Sequence, residues 1–285
     1  MGYQSKYCKR VPIQVFYVLC ISTLSILLPL SFLLLARLSI ASFLFSFAST
    51  PKPKPSLFLS IFLYTNPTLV QVLLAIITIS TFICVITGRL RPVNKDEVAV
   101  FRPGLVLSWV LLFMLQVSVG LGIEASIAAK VNGLAFGNVN DDHGRISMLS
   151  RLIFFVGVHE TMLHWSRMIV HPVVDDTIYG GPKKESWIER AAMAASLGGL
   201  WWLKMRNEVE GLVVVVEVKV EMGLGFGVGD FVGWWLYYLT VVIGVARLVK
   251  GALWLLMLMF CRRPNCCVET YEDRNIWKVG ECELC

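Results

Sequence analysis

The chain has 285 residues, of which 56% are hydrophobic and only 16% charged, giving a mean hydropathy of +0.68. Soluble domains carry about 25% charged residues, so this composition excludes an ordinary water-facing globule and points to lipid. The net charge of +6, from 26 Lys and Arg against 20 Asp and Glu, does not mark a nucleic-acid binder. The positives flank apolar runs, where they act as topology signals.

Residues Val11 to Ala36 contain no charge, enough for the ~20 residues a bilayer requires, and further uncharged runs cover Ser56–Gly88 and Pro103–Ile123. A β-barrel would instead show ~10-residue alternating segments. The first predicted span is 13–36, a retained signal anchor with Pro29 placed to kink it. The apolar stretch 37–48 reads as lying along the interface, and "STPKPKPS" (49–56) as a stiff linker. A second span covers 66–87, opened by Asn66-Pro67, and a third covers 104–125. Polar loops at 88–103 and 130–145 surround the third span. The fourth is 146–170, closed by Pro172, with a polar loop after it.

The segment 190–204 has an uncharged core, Ala191–Leu203, that is short for a crossing; it either spans with snorkelling flanks or re-enters. In "GLVVVVEVKVEMG" (211–223) Glu217, Lys219 and Glu221 alternate with valines, a period of two that predicts an extended strand outside the membrane. The last apolar region, 231–260, is about 45 Å long as one helix. Arg247 and Lys250 interrupt it. The expectation is an all-α multi-pass membrane protein of six spans, or five if 191–203 fails to cross. It forms a single membrane domain over 1–285, with no internal repeat and no separate soluble domain. With six crossings, 14 Lys and Arg fall on the side of both termini and 9 on the other, which places both ends in the cytoplasm. The organelle, endoplasmic reticulum or plasma membrane, stays open.

Three of the four histidines lie in "VGVHETMLHWSRMIVHP" (156–172), close to the H-E-x-x-H pattern of zinc proteases. His159 and His164 are five apart rather than four, which on a regular helix swings them about 140° from each other. They cannot grip one zinc. Relative to Glu160, His164 falls at about +40°, Arg167 at about −20° and His171 at about +20°. These four residues form one polar stripe, which must face protein or water because a charge at the bilayer centre costs at least ~2.5 kcal/mol. The stripe is either an ion, proton or substrate path or a set of interhelical pairs, with Arg247 and Lys250 as charge partners for Glu160.

Four histidines are too few for a membrane di-iron site, and three on one helix do not suit a bis-histidine haem. "DDH" (141–143) and "HPVVDD" (171–176) bracket a helix about 37 Å long. They read as solvated loops. No metal or other cofactor is expected, and no nucleophile–base pair or nucleotide-binding motif is present. Gly225, Gly229 and Gly233 repeat at G-x-x-x-G spacing, the signature of a helix-packing face. Trp201, Trp202, Trp234, Trp235, Tyr237 and Tyr238 read as interfacial anchors. Cys20 and Cys84 read as small hydrophobes, and Cys261, Cys266 and Cys267, beside Arg262 and Arg263, as juxtamembrane palmitoylation candidates. The terminal pair Cys282 and Cys285 is a weak metal or redox signal.

The basic start, the Pro/Lys-rich first loop and "WSRMIVHPVVDDTIYG" after a span resemble uncharacterised multi-pass membrane proteins of plants. The resemblance implies a location and no chemistry. The function expected is a non-enzymatic membrane scaffold or accessory subunit, embedded in the lipid bilayer and joined to a membrane-protein partner or a second copy, without nucleic acid. A small transporter or channel using the Glu/His/Arg stripe is the alternative, and a membrane-embedded lipid enzyme is third.

Overall fold

A computed structural model describes residues 3–47, 67–88, 103–128 and 148–260, apart from 182, 184, 224 and 226. Every regular element among the described residues is a helix. Helices α1 (Tyr3–Ser25) and α2 (Leu27–Phe47) form one rod with a break at Ile26. The kink expected at Pro29 falls there because proline cannot donate to the carbonyl four residues back, and its ring crowds that carbonyl. The carbonyl is that of Ser25, the last residue of α1. Residues 37–47 do not lie along an interface; they continue α2, since Ile40, Ala41 and Phe43 are buried against Val215.

Helix α3 (Pro67–Thr87) starts on its proline and stops at Gly88, whose φ of 65° favours glycine. Helix α4 spans Pro103–Ala128 and α5 spans Met148–Trp165. Pro172 does not close this pass. A π turn at Ser166–Val170, in which His171 N–H bonds to Ser166 O, makes room for the proline, and α6 (His171–Tyr179) continues to a left-handed Gly180. The polar loop therefore begins at Gly180, and "HPVVDD" is helical rather than a solvated loop.

The ambiguous 190–204 segment lies inside a longer run. Helix α7 (Trp187–Leu200), a second π turn (Trp201–Met205) and α8 (Arg206–Glu208) succeed one another, about 33 Å in all. A capping box starts it: Ser186 Oγ accepts from Ile188 N, and Glu189 accepts from Ser186 N at 3.1 Å.

The expected strand at 211–223 is overturned. Residues Gly211–Glu221 form helix α9, with Leu212, Val213, Val215, Val216 and Lys219 buried. Those positions recur at three and four, so the valine run carries a helical face as well as a period of two. A helix closes its own backbone hydrogen bonds, whereas no described strand offers a partner edge. The last region is one uninterrupted helix, α10 (Val228–Phe260).

Among the described residues, four helical stretches are long and apolar enough to cross a membrane: Pro12–Phe43, Thr68–Thr87, Leu107–Glu124 and Val228–Phe260. Contacts at both ends of two helix pairs set their relative directions. Gln71 meets Gly229 and Lys250 meets the Val85 carbonyl, so α3 and α10 run parallel. Tyr17 meets Asp175 and Trp165 meets Leu24, so α5–α6 runs against α1.

The core surrounds α5, with Phe154 at its hub: its ring stacks on Tyr237 at 4.7 Å and meets Phe32 edge-on at 5.8 Å. Phe154 can reach Tyr237 because the backbones of α5 and α10 touch. A methyl group added at Gly157 would collide with the Thr240 carbonyl, and one at Gly244 with the carbonyl of Ile153. The close-approach glycines are therefore Gly157 and Gly244, on two different helices.

Gly157→Ala or Gly244→Ala is expected to lower stability by about 1–3 kcal/mol, as overpacking does. Gly225→Ala, with open space around it, should stay within about 0.5 kcal/mol. Thermal unfolding in detergent micelles checks both.

Candidate polar site

Helix α5, its π turn and the first residue of α6 carry Glu160, His164, Arg167 and His171, and each reaches a different neighbour. Glu160 Oε2 lies 3.2 Å from Arg247 Nε on α10. His164 Nε2 is 3.0 Å from Ser80 Oγ on α3. Arg167 Nε lies 3.3 Å from Glu185 in the loop before α7, and Glu185 also holds Arg190 at 3.2 Å. His171 Nδ1 is 3.4 Å from the Tyr17 hydroxyl on α1. The single stripe drawn from a regular helix does not survive, and the π turn is the reason. It inserts one extra residue, rotating the downstream residues by about 100°. Glu160 and His164 precede it and share one side; Arg167 sits inside it and His171 beyond it.

Lys250 donates to the Val85 carbonyl across the α3–α10 seam, so it supports a helix contact rather than pairing with Glu160. Arg247 remains 51% exposed, so its pair with Glu160 lies at the edge of the bundle. Ser80, Glu160, His164, Arg247 and Lys250 thus gather along the meeting line of α3, α5 and α10.

A second constellation is buried deeper and was not legible in the sequence. The Tyr17 hydroxyl donates to Asp175 Oδ1, and Asp175 Oδ2 accepts Lys183 N at 3.2 Å. The Lys183 ammonium sits over the Tyr17 ring, 4.1 Å from its centroid, and 3.5 Å from the buried Glu189. His171 is 3.9 Å from Asp175, while its Nε2 is buried without a hydrogen-bond partner among the described residues. This cluster ties α1, α6, α7 and the loop 180–186 together.

Three more ion pairs close the opposite end of the bundle. Arg37, 3% exposed, grips both oxygens of Glu208 at 2.5 and 2.6 Å and donates to Ser126 Oγ at 3.0 Å. Arg151 pairs with Glu210, and Lys219 with Asp230 at 2.7 Å. The one signal for these was the position of Arg37, Arg151 and Lys219 inside or beside apolar runs, where a charge must find a partner.

The remaining residues singled out in the sequence are dispersed. Gly225 lies in the turn before α10, Gly229 abuts the Gln71 amide and Gly233 abuts Leu212, so the G-x-x-x-G run is not one free packing face. Trp201 and Tyr237 are core residues around Phe154 rather than interfacial anchors; Trp202 and Tyr238 are exposed. Among the described residues Cys20, buried, and Cys84, half-buried, are in no disulfide. Cys261, Cys266, Cys267, Cys282, Cys285, the 49–56 linker and "DDH" lie outside the described residues. Among the described residues no group of three or more His, Cys, Asp or Glu could hold a metal ion.

Charge exchange across the outer seam is a direct check on the Glu160–Arg247 pair. Glu160→Arg and Arg247→Glu should each lower the melting temperature, and the double exchange should recover it, with a coupling of about 0.6 kcal/mol typical of interhelical polar pairs in lipid. Tyr17→Phe, which strips a hydrogen bond from the buried Asp175, should cost about 1–3 kcal/mol in the same measurement. Comparison with protein families, with curated protein sequences and with solved structures finds no match to this chain.

Proposed function

We propose that the protein is a six-pass integral membrane protein with both termini on the cytoplasmic side, acting as a non-enzymatic scaffold or accessory subunit. The two passes beyond the four apolar helices are α5–α6 and α7–α8, where Glu160, Asp175 and Glu208 are paired with side chains on other helices. The observation that carries the scaffold reading is the commitment of Glu160, His164, Arg167 and His171 to protein partners on separate elements. Groups consumed in joining helices make a rigid frame, whereas a conduction path needs groups that stay available to a moving ion. The side chains of Gly251–Phe260 are exposed, which leaves an apolar surface for lipid or for a neighbouring membrane helix.

The alternative, a small transporter or channel, draws support from one arrangement: Ser80, Glu160, His164, Arg247 and Lys250 line a single seam between α3, α5 and α10. Proton flux in proteoliposomes, tracked with an internal pH-sensitive dye, separates the two. The scaffold reading expects wild-type and Glu160→Gln vesicles to leak no faster than empty ones. A pH-dependent flux that disappears in Glu160→Gln or His164→Ala would replace it with transport.

A further inference from the structure

A cavity of about 280 Å³ opens between α2, α3, α9 and the start of α10. Leu35, Leu38 and Leu212 form its apolar wall; Ser39, Gln71 and Asp230 supply polar atoms. Its room comes from glycine. A methyl group on Gly229 would come within 3.3 Å of the Gln71 amide, and one on Gly233 within 3.2 Å of Leu212. The glycine run that reads in sequence as a packing face is therefore, in part, the lining of a hollow.

The charge in this hollow is already balanced. Asp230 Oδ2 takes the Lys219 ammonium at 2.7 Å and the Gly227 N–H at 3.3 Å. A charged ligand would enter without a counter-ion and would have to compete with that pair. The capacity left over is mostly that of acceptors. Among the described residues Asp230 Oδ1 has only a long 3.5 Å bond from Ser39, and Gln71 spends its Nε2 on the Gly229 carbonyl at 3.2 Å, leaving its Oε1. A neutral, acceptor-rich lining beside a leucine wall suits a ligand that brings several hydroxyl donors and carries no charge. The size suits one ring rather than a lipid chain. One turn further along α10, Trp234 and Tyr238 pack at 4.9 Å, an aromatic pair of the kind that marks a membrane boundary.

We propose that this cavity binds an uncharged polyhydroxyl ring, a hexose, presented by a glycolipid headgroup or a soluble glycoside. The proposal needs neither the scaffold nor the transport reading, because the site stands on its lining alone. The full-length protein in phosphatidylcholine nanodiscs, doped separately with monoglucosyl diacylglycerol, phosphatidylethanolamine or phosphatidylglycerol, tests it by native mass spectrometry of the retained lipid, with methyl glucoside as the soluble competitor. Wild type should retain the glucosyl lipid, or bind methyl glucoside, about tenfold more strongly than either ionic headgroup. Competition that displaces the lipid assigns a soluble source; lipid retained against methyl glucoside assigns the headgroup. Ser39→Leu, which fills the cavity, and Gln71→Leu, at its exposed rim, should each weaken binding about tenfold with the melting curve unchanged. If Ser39→Leu melts early, Gln71→Leu carries the test. Stronger retention of either ionic lipid, no binding of lipid or glucoside, or binding unaltered in a folded variant would overturn the proposal.

Discussion

Helices α5 and α10 approach until backbone meets backbone, Gly157 against the Thr240 carbonyl and Gly244 against Ile153. Contact at this range supplies dispersion energy that side-chain packing at ordinary separation would not. The contact also fixes register. With α10 held at that height, Tyr237 stacks on Phe154 and Arg247 arrives beside Glu160. Slide α10 by one turn and both are lost. Trp201, Phe32 and the rest of the core then close around Phe154, itself completely buried.

The charged residues obey a second constraint that derives from the first. Once helices pack this closely, little water reaches their inner faces, and a lone charge there would cost several kcal/mol. Each buried charge is accordingly matched at short range: Arg37 by Glu208, Lys219 by Asp230, Lys183 by Glu189, with Asp175 hydrogen-bonded by Tyr17. The first of these is bidentate, the strongest geometry available to arginine and a carboxylate. The pairs join segments far apart in the chain, so they select one arrangement of helices over its competitors as much as they stabilise it.

Helical class was legible in the sequence because it depends on the length and apolarity of runs such as Pro12–Phe43, which need no knowledge of neighbours. Helices α5 and α7 were harder, since Glu160, Arg167 and Glu189 break their apolarity and only become tolerable once partners are in place. The valine-rich α9 misled because its letters satisfy two periods at once; contact with α2 decides between them. The polar stripe failed for a local reason. Angular arithmetic assumes an unbroken 3.6-residue turn, and the π turn ahead of Pro172 violates it. Residues before that turn were placed side by side and those after it were not. Tyr17 and Asp175 carried no signal at all, because 158 positions separate them.

The tight seam near Gly244 has a mechanical side. Beyond it, α10 runs on for sixteen residues to Phe260, about 24 Å, and its last ten residues, Gly251 to Phe260, are exposed. It is a rod held by α5 at Gly244 and by α3 at Lys250, with ten exposed residues beyond. A change of 10° in its crossing angle at the clamp displaces the free end by about 4 Å, on the order of two to three residues of helical rise. A force acting on that end therefore has leverage on the Glu160–Arg247 pair, which sits only one turn from the fulcrum.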